Sequence, residues 1–234
     1  MDKQELRERV WDELEETGEA RFPFPPHGRI PNFAGAKEAA EGLTELDAWA
    51  DADVVKSNPD APQLPVRRAA LRAGKTLYVA VPRLREADCF LRIDPATVAD
   101  IDDATTVSGI AEAGEPVGPA GMEPVDLIVS GSVAVTESGE RVGKGEGYSD
   151  LEFALLREFG VVDDDTTTVS TVHERQVVDE AVPTTPQDVP IDWLVTPERS
   201  IRTDSPTTKP VGIAWEQLDA EKINGIPILQ RRQP

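Results

Sequence analysis

The sequence has little cysteine and no long apolar segment. Cys89 is its one cysteine, so no disulfide can form within the chain, and this composition fits a reducing compartment such as the cytoplasm. Hydrophobic residues make up 39% of the chain, and no apolar run approaches the length of a membrane span. The charged N-terminus lacks the apolar core of a signal peptide. We therefore expect a soluble, cytoplasmic protein without a membrane partner.

Positive charge is also scarce. The 24 Lys and Arg residues are outnumbered by 44 Asp and Glu residues, which gives a formal net charge of −20. Such a chain has no basic face for a nucleic-acid duplex, so nucleic-acid binding is not expected. A uniformly acidic composition with little lysine is typical of haloarchaeal proteins, whose self-repulsion is screened by concentrated salt. An ordinary acidic bacterial protein is the alternative.

The pattern of apolar segments predicts an α/β fold. At 234 residues the chain is long enough for one domain with its own core, and it shows no internal repeat. Strands are predicted at 53–56, 76–81, 89–93, 166–171 and 193–196, and helices at 36–49, 63–73 and from Pro95 onward. Strands that alternate with helices favour a largely parallel, doubly wound sheet. The sequence carries no signal for a particular oligomeric state.

The two ends of the chain carry signals of their own. Asp2 and Glu5 form a capping-box pattern before a helix that ends near Gly18, and a proline-rich arm follows and completes residues 1–35. Residues 199–210 are polar and rich in Ser, Thr and Pro, and they are predicted to form a mobile loop. The last segment, the tail (211–234), would dock on the body through its apolar residues Trp215, Leu218, Ile223, Ile226 and Ile228.

The most informative segment runs from Asp126 to Asp150. It opens with an apolar, β-branched run at 127–135, which predicts a buried strand, and residues 137–139 then form a turn. Glycines follow at positions 143, 145 and 147, and the pattern over 151–159 predicts a helix that stops at Gly160. A strand, a glycine-rich loop and a helix start can together hold a phosphate, because backbone N–H groups and the positive end of the helix face the anion.

Two side chains of this segment suit the same ligand. Lys144 would add a positive charge, and Asp150 would provide an oxygen ligand for the Mg²⁺ that accompanies a nucleotide. Neither the P-loop pattern G-x-x-x-x-G-K-S/T nor the dinucleotide pattern G-x-G-x-x-G occurs. A tight connection whose glycines only satisfy turn geometry is the alternative.

Three blocks of the sequence resemble the 5-formyltetrahydrofolate cyclo-ligases, also called methenyltetrahydrofolate synthetases. The first, GERVGKGEGYSD at 139–150, is similar to the family's G-x-R-(L/I)-G-(R/K)-G-x-G-Y-(Y/S)-D. The second, HERQVVDEAVPTTPQDVPIDWLVTP at 173–197, resembles a downstream family block, and the third is the combination of Lys3, Leu6 and Arg7. Segments such as RFPFPPHGRIPNFAGA and GIAWEQLDAEKINGIPIL resemble the branch called methenyltetrahydrofolate synthetase domain-containing proteins.

The resemblance implies a fold, a reaction and a set of site residues. The fold is three-layered and Rossmann-like, related to ribose-5-phosphate isomerase and CoA-transferase domains. The reaction is ATP- and Mg²⁺-dependent conversion of 5-formyltetrahydrofolate, or a related reduced pterin, into the 5,10-methenyl compound. Lys144 and Arg141 are the implied catalytic residues, and Asp150 and Asp188 the implied Mg²⁺ ligands, with Asp192 as the runner-up. The implied nucleotide-binding residues are Lys3, Arg7, Arg141, Gly143, Lys144, Gly145, Gly147 and Tyr148.

The loop departs from the family pattern at three positions. Where cyclo-ligases have G-(R/K)-G-G-G-Y-Y-D-R, this chain has Glu146, Ser149 and Leu151. Glu146 brings a negative charge into an anion-binding loop, and residues 58–63 do not align clearly with the family's acidic folate-pocket segment. Two other functions therefore stay open: a non-catalytic nucleotide- or pterin-binding protein, and a ligase for a different formyl or amide substrate.

Overall fold

The structure is a computed structural model that describes residues 2–233. The α-helices of this range are α1 (Lys3–Glu16), α2 (Ala36–Thr44), α3 (Asp47–Ala50), α4 (Leu64–Arg72), α5 (Ile101–Ala104), α6 (Val107–Ala113), α7 (Tyr148–Glu158), α8 (Ala220–Gly225) and α9 (Pro227–Arg232). The strands are β1 (Ala20–Arg21), β2 (Asn32–Phe33), β3 (Val54–Ser57), β4 (Thr76–Ala80), β5 (Phe90–Ile93), β6 (Glu115–Val117), β7 (Leu127–Val129), β8 (Ala134–Val135), β9 (Arg141–Val142), β10 (Thr167–Thr171), β11 (Trp193–Val195) and β12 (Ser200–Arg202).

An eight-stranded sheet with the order β12-β11-β10-β7-β3-β4-β5-β6 forms the centre of the fold. The five strands from β11 to β4 are parallel, whereas β12, β5 and β6 run antiparallel to the strand that precedes each of them in sequence. Every residue of β3 and β7 is buried, as expected for parallel strands that are covered on both faces. The predicted α/β fold with a largely parallel sheet is confirmed.

Helices cover both faces of the sheet and make a three-layer structure. On one face the core includes Leu43 of α2, Val66 of α4 and Val55 of β3. On the other face α7 packs together with the two helices of the tail, which bury Ile223 and Leu229. Among the helices of residues 2–233, none combines the length and the hydropathy that a membrane crossing requires.

The strand order reverses between β3 and β7. The chain places β4 on one side of β3, and then β7, β10 and β11 in turn on the other side. In doubly wound sheets, ligands bind beyond the carboxyl ends of the strands at such a reversal. Strand β3 ends at Ser57 and β7 ends at Val129, so the residues that follow these two positions border the expected ligand site.

Helix α1 begins at its predicted cap. The Asp2 carboxylate accepts the N–H groups of Gln4 and Glu5, and the Glu5 carboxylate accepts the N–H of Asp2, which confirms the capping box. The apolar face of the helix, which includes Val10 and Leu14, packs with the hairpin formed by β8 and β9. This packing sets the first turn of α1 beside the glycines that follow β9.

The predicted strand at 127–135 is wrong in its extent. Strand β7 ends at Val129, and β8 then pairs with β9 in a separate antiparallel hairpin. Residues 130–133 carry the chain from one sheet to the other, and the carbonyl of Gly131 accepts a hydrogen bond from Arg141. Because both parts of the run are buried, its apolar continuity does not reveal the change of sheet.

Three further predictions differ from the structure. The helix at 36–49 is divided, since α2 ends at Thr44 and α3 begins at Asp47. Pro95 lies in a turn in which the Asp94 carboxylate accepts the N–H of Ala96, so the first helix after it is α5. The predicted mobile loop contains the edge strand β12, whose polar and partly exposed residues gave no apolar signal.

Candidate functional site

A crevice of about 290 Å³ lies beyond the carboxyl ends of the central strands, where the strand order reverses. Its wall is formed by residues that follow β3, β4 and β9 and by the first turn of α7: Asn58, Pro59, Asp60, Pro82, Arg83, Arg141, Gly143, Lys144, Glu146, Gly147, Tyr148, Ser149, Asp150 and Glu152. Six of the predicted site residues thus line one cavity, namely Arg141, Gly143, Lys144, Gly147, Tyr148 and Asp150. Gly145 belongs to the same loop but lines a neighbouring cavity.

The glycine loop (143–147) has a backbone that side chains would disturb. Gly145 has a φ of +108° and Gly147 a φ of +68°, both in the left-handed region that favours glycine. The N–H groups of residues 144–150 have no hydrogen-bond acceptor among residues 2–233. Since α7 begins at Tyr148, its unpaired first-turn N–H groups and its positive dipole end adjoin this loop. The backbone here can therefore bind an anion.

Lys144 and Glu146 form an ion pair inside the loop. The Lys144 ammonium lies 2.9 Å from the Glu146 carboxylate, which also accepts a hydrogen bond of 3.1 Å from Arg83. The hydrogen bond from Lys144 is the main reason why the pKa of Glu146 is lowered. Arg83 has a φ of +58°, an uncommon conformation for a residue with a side chain, and it occurs at the wall of the crevice. The negative charge that the sequence brings into this loop is thus shared by two cations.

Arg141 and Asp150 form a second pair beneath the loop. The buried Arg141 guanidinium donates to the Asp150 carboxylate at 2.6 Å and to the Gly131 carbonyl at 3.1 Å. The same Asp150 oxygen accepts the N–H of Val189 at 3.1 Å. Burial by itself would raise the pKa of Asp150, but Arg141 and the Val189 N–H hold it below its ordinary value. Asp150 is therefore ionised, and its second oxygen has no partner within residues 2–233.

The two predicted cations of α1 both reach this region. The Lys3 ammonium lies 2.9 Å from the Asp188 carboxylate, and the Arg7 guanidinium donates to the Gly143 carbonyl at 2.7 Å. Burial lowers the pKa of Arg7. Neither side chain lines the crevice, so in this structure Arg7 holds the glycine loop and Lys3 holds the segment that carries Asp188.

The two predicted metal ligands lie close together. Asp150 accepts the N–H of Val189, which directly follows Asp188, and both carboxylates border a smaller cavity beside Gly147. In the part of the chain that the structure describes, no three His, Cys, Asp or Glu residues form a group suited to a metal ion. A protein-only metal cage is absent there, but Mg²⁺ commonly binds through one or two carboxylates and the oxygens of a substrate phosphate. The free oxygen of Asp150 fits that second mode.

Asp192 lies elsewhere. Its carboxylate accepts hydrogen bonds from Thr168 and from the Lys209 ammonium, at the amino end of β10 and not at the carboxyl end where the crevice opens. The structure thus offers no support for Asp192 as the runner-up metal ligand.

Sequence reasoning missed the contribution of the segment after β3. The Asn58 amide donates to the Ser149 hydroxyl at 2.9 Å, and the Asp60 carboxylate lines the crevice without a hydrogen bond from any other residue of the range 2–233. Burial raises the pKa of Asp60, and the positive charges of Lys144 and Arg67 oppose that rise. A signal was present, because an Asn-Pro-Asp sequence directly follows a predicted central strand, and such positions adjoin ligands in α/β sheets.

Arg67 stabilises the segment after β3 from the side that faces away from the crevice. Its buried guanidinium donates to the carbonyls of Asn58 at 2.6 Å and Asp60 at 3.0 Å. Burial lowers its pKa to about 10, which leaves it charged at neutral pH. The backbone that presents Asp60 to the crevice is therefore fixed by a cation that the ligand would not contact.

A buried ion pair lies at the base of the crevice. Lys56 of β3 and Glu152 of α7 are in direct contact, with only 1% and 8% of their side chains exposed. Glu152 also lines the cavity. The sequence did not indicate that either residue is buried. Charged side chains are rarely buried unless they are paired, and the pairing of Lys56 with Glu152 is visible only in the fold.

The three departures from the cyclo-ligase loop pattern have distinct surroundings. Glu146 pairs with two cations, and Ser149 accepts the hydrogen bond from Asn58. Leu151 is 6% exposed and belongs to the apolar cluster that also contains Ile223 and Leu229 of the tail. Leu151 is thus a core residue of the face that the tail covers.

Comparisons with known proteins agree on one family. The sequence model of the 5-formyltetrahydrofolate cyclo-ligase family matches residues 1–197. The chain is 44% identical over 235 residues to a methenyltetrahydrofolate synthase domain-containing protein of Bos taurus, and 41% identical over 234 residues to that of Homo sapiens. Both alignments cover 98% of this chain and 61% of the relative, so the chain spans less than two thirds of the length of these curated relatives.

A solved structure shows the same fold. The NMR structure of Aquifex aeolicus 5,10-methenyltetrahydrofolate synthetase superposes with a TM-score of 0.55 at 21% sequence identity, and the match covers 93% of this chain and 100% of the other. Because the family model spans residues 1–197, the chain belongs to the 5-formyltetrahydrofolate cyclo-ligase family.

Proposed function

We propose that this protein is an ATP- and Mg²⁺-dependent ligase that converts 5-formyltetrahydrofolate into 5,10-methenyltetrahydrofolate. The observation that carries the proposal is the glycine loop, whose free N–H groups and Lys144 border a crevice at the reversal of strand order. Membership of the cyclo-ligase family gives the reaction class. In this proposal the crevice takes both the nucleotide phosphates and the reduced pterin.

The nucleotide phosphates would be held by the loop and by the start of α7. The N–H groups of residues 144–150 would donate to phosphate oxygens, and Lys144 would leave Glu146 to contact them. Mg²⁺, bound by Asp150 and by Asp188 directly or through water, would neutralise phosphate charge during the transfer. Arg141 would keep Asp150 ionised and correctly placed, since it already donates to that carboxylate.

The pterin would be recognised by the segment after β3. The aminopyrimidinone edge of a pterin presents adjacent N–H donors, and a carboxylate accepts such a pair. Asp60 is the carboxylate that borders the crevice without a hydrogen bond from any other residue of the range 2–233. Asn58, fixed by Ser149, would add a second polar contact.

In this reaction the protein mainly positions the reacting groups. The formyl oxygen attacks the γ-phosphorus of ATP, the bond to the bridging oxygen breaks, and ADP leaves. N10 then attacks the formyl carbon and loses its proton to solvent, and phosphate departs with the former formyl oxygen. The loop amides and Lys144 would neutralise the charge that spreads over the transferred group, and no protein nucleophile is required.

A nucleotide-binding protein without turnover is the second candidate. One observation favours it: Lys144, the cation that would act on the phosphates, is paired with Glu146 within the same loop. A loop that binds nucleotide only after it breaks an internal ion pair would bind more weakly. A ligase for a different formyl or amide substrate would use the same loop but another partner for Asp60.

The test combines turnover with binding. Incubation with 5-formyltetrahydrofolate and Mg-ATP in molar KCl is expected to produce the near-ultraviolet absorbance of the methenyl product. In calorimetry, Lys144→Ala should weaken Mg-ATP binding by about 1–3 kcal/mol, the range of a charge-assisted hydrogen bond. Lys37→Ala, which removes an exposed cation paired with Glu41, is the matched control and should bind as the parent does. Binding without product would support the second candidate, and absence of binding by the parent protein would refute both.

A further inference from the structure

The tail reaches the glycine loop from outside the matched family segment. The family model ends at residue 197, whereas α8 and α9 of the tail lie at 220–232. Asp219 caps the N-terminus of helix α8, and its carboxylate accepts the N–H of Lys222 at 2.6 Å. Ile223, on the next position, is buried in the core beside α7. The backbone of Lys222 is thus fixed on both sides.

The side chain of Lys222 contacts the loop at two points. Its ammonium donates to the Glu146 carbonyl at 2.7 Å and lies 4.9 Å from the centre of the Tyr148 ring. A β-carbon added to Gly147 would lie 3.4 Å from the same nitrogen. One cation therefore touches three consecutive residues, which are the last two of the glycine loop and the first of α7.

These contacts determine the direction of a backbone N–H group. In a trans peptide the carbonyl of one residue and the N–H of the next point to opposite sides. Lys222 lies outside the crevice, in a neighbouring cavity that Gly145, Glu146 and Tyr148 also line. Because Lys222 holds the Glu146 carbonyl on that outer side, the N–H of Gly147 is directed away from Lys222, and Gly147 itself lines the crevice.

We propose that Lys222 is a positioning residue of the anion site: it holds the Glu146–Gly147 peptide so that the loop amides face the bound phosphate. Lys222 does not line the crevice and would not contact the nucleotide. It acts through the loop, and this role rests on the proposed nucleotide site. The tail thereby becomes part of the site and not only a cover for the core.

A second cation of the tail provides the control. Arg232 donates to the Glu158 carboxylate at 3.1 Å and lies 4.3 Å from the centre of the Phe159 ring, at the far end of α7. It fastens the tail to the same helix without contacting residues 143–148. If Lys222 only fastened the tail, the loss of either cation would have the same effect.

The experiment compares Lys222→Met, Lys222→Arg and Arg232→Gln in the full chain. Lys222→Met keeps the apolar stem and should raise the KM and the Kd for Mg-ATP about tenfold, with kcat changed less, as expected for one charge-assisted bond. Lys222→Arg should restore most of the affinity, and Arg232→Gln should bind Mg-ATP like the parent. Unchanged affinity in Lys222→Met, or an equal loss in Arg232→Gln, would overturn the proposal.

Hydrogen exchange separates this proposal from the nucleotide function. In the nucleotide-free protein, the hydrogen-bonded amides of the first turns of α7, from Leu151 onward, should exchange faster in Lys222→Met than in the parent or in Arg232→Gln. Faster exchange in a protein that fails to bind Mg-ATP would keep the positioning role and refute the nucleotide function. Equal exchange in all three proteins would refute the positioning role whether or not the nucleotide binds.

Discussion

Replacing Glu146 with glutamine is expected to tighten the binding of Mg-ATP. The Glu146 carboxylate is 2.9 Å from the Lys144 ammonium and 3.1 Å from the Arg83 guanidinium, so it competes with a phosphate for both cations. Glutamine removes the charge but keeps the length of the side chain. Lys144 would then be free to contact the ligand, and the repulsion between the carboxylate and the phosphate would disappear.

The size of the effect follows from distance and exposure. A phosphate oxygen in hydrogen-bond contact with Lys144 would lie about 5 Å from the Glu146 carboxylate. Two unit charges at that distance repel each other by about 0.8 kcal/mol in water and by about 3 kcal/mol at an effective dielectric constant of 20. Because the Glu146 side chain is 33% exposed, the lower part of this range applies. We expect a gain of about 1 kcal/mol, which is about fivefold in Kd.

The assay is calorimetric titration with Mg-ATP at several KCl concentrations. Glu41→Gln is the matched control, because it removes the same charge from the exposed Lys37–Glu41 pair. The hydrogen bond from Lys144 lowers the pKa of Glu146, so this carboxylate is ionised at neutral pH and the difference between the variants should persist from pH 8 down to the ordinary range of a glutamate. Only below that range should the parent approach Glu146→Gln. A variant that binds no better than Glu41→Gln would refute the reasoning.

Three further outcomes are expected. Lys56→Met leaves Glu152 buried without its partner and should lower the free energy of unfolding by about 3–5 kcal/mol in urea titrations, whereas adding Glu152→Met should recover most of the loss. Burial raises the pKa of Asp60, so its charge lowers stability as pH rises through that pKa; Asp60→Asn should therefore unfold at higher urea than the parent at pH 7 but abolish pterin turnover. The free energy of unfolding of the parent should rise as KCl approaches molar concentrations, because salt screens a net charge of −20; a flat response would contradict a halophilic origin.

The sequence was most informative where structure depends on neighbouring residues. Glycines at 145 and 147 have positive φ values, and α7 begins directly after them, so a local pattern was sufficient to place the glycine loop before that helix. The capping box of α1 was predicted for the same reason. The central strands β3 and β7 followed from apolar runs, and every residue of both strands is buried.

The features of the site that the sequence did not predict depend on contacts between residues that are distant in sequence. Lys222 meets the loop across 76 positions of sequence, and Lys3 meets Asp188 across 185 positions. A local sequence pattern does not predict which carboxylate a lysine will contact, because that pairing depends on the tertiary structure. For the same reason, the sequence indicated that the negative charge of Glu146 is unfavourable in this loop. The structure shows that Arg83, from another segment, forms an ion pair with Glu146.

The arrangement of charge predicts that Mg-ATP affinity depends only weakly on salt. Within a chain of net charge −20, the cations Lys3, Arg7, Arg83, Arg141, Lys144 and Lys222 all contact the glycine loop or the residues beside it. Salt weakens the attraction between Lys144 and a phosphate, but it weakens the competing Lys144–Glu146 pair as well. The two effects oppose each other, so Mg-ATP affinity should fall with KCl less steeply in the parent than in Glu146→Gln. Equal salt slopes would mean that the Lys144–Glu146 pair does not compete with the nucleotide.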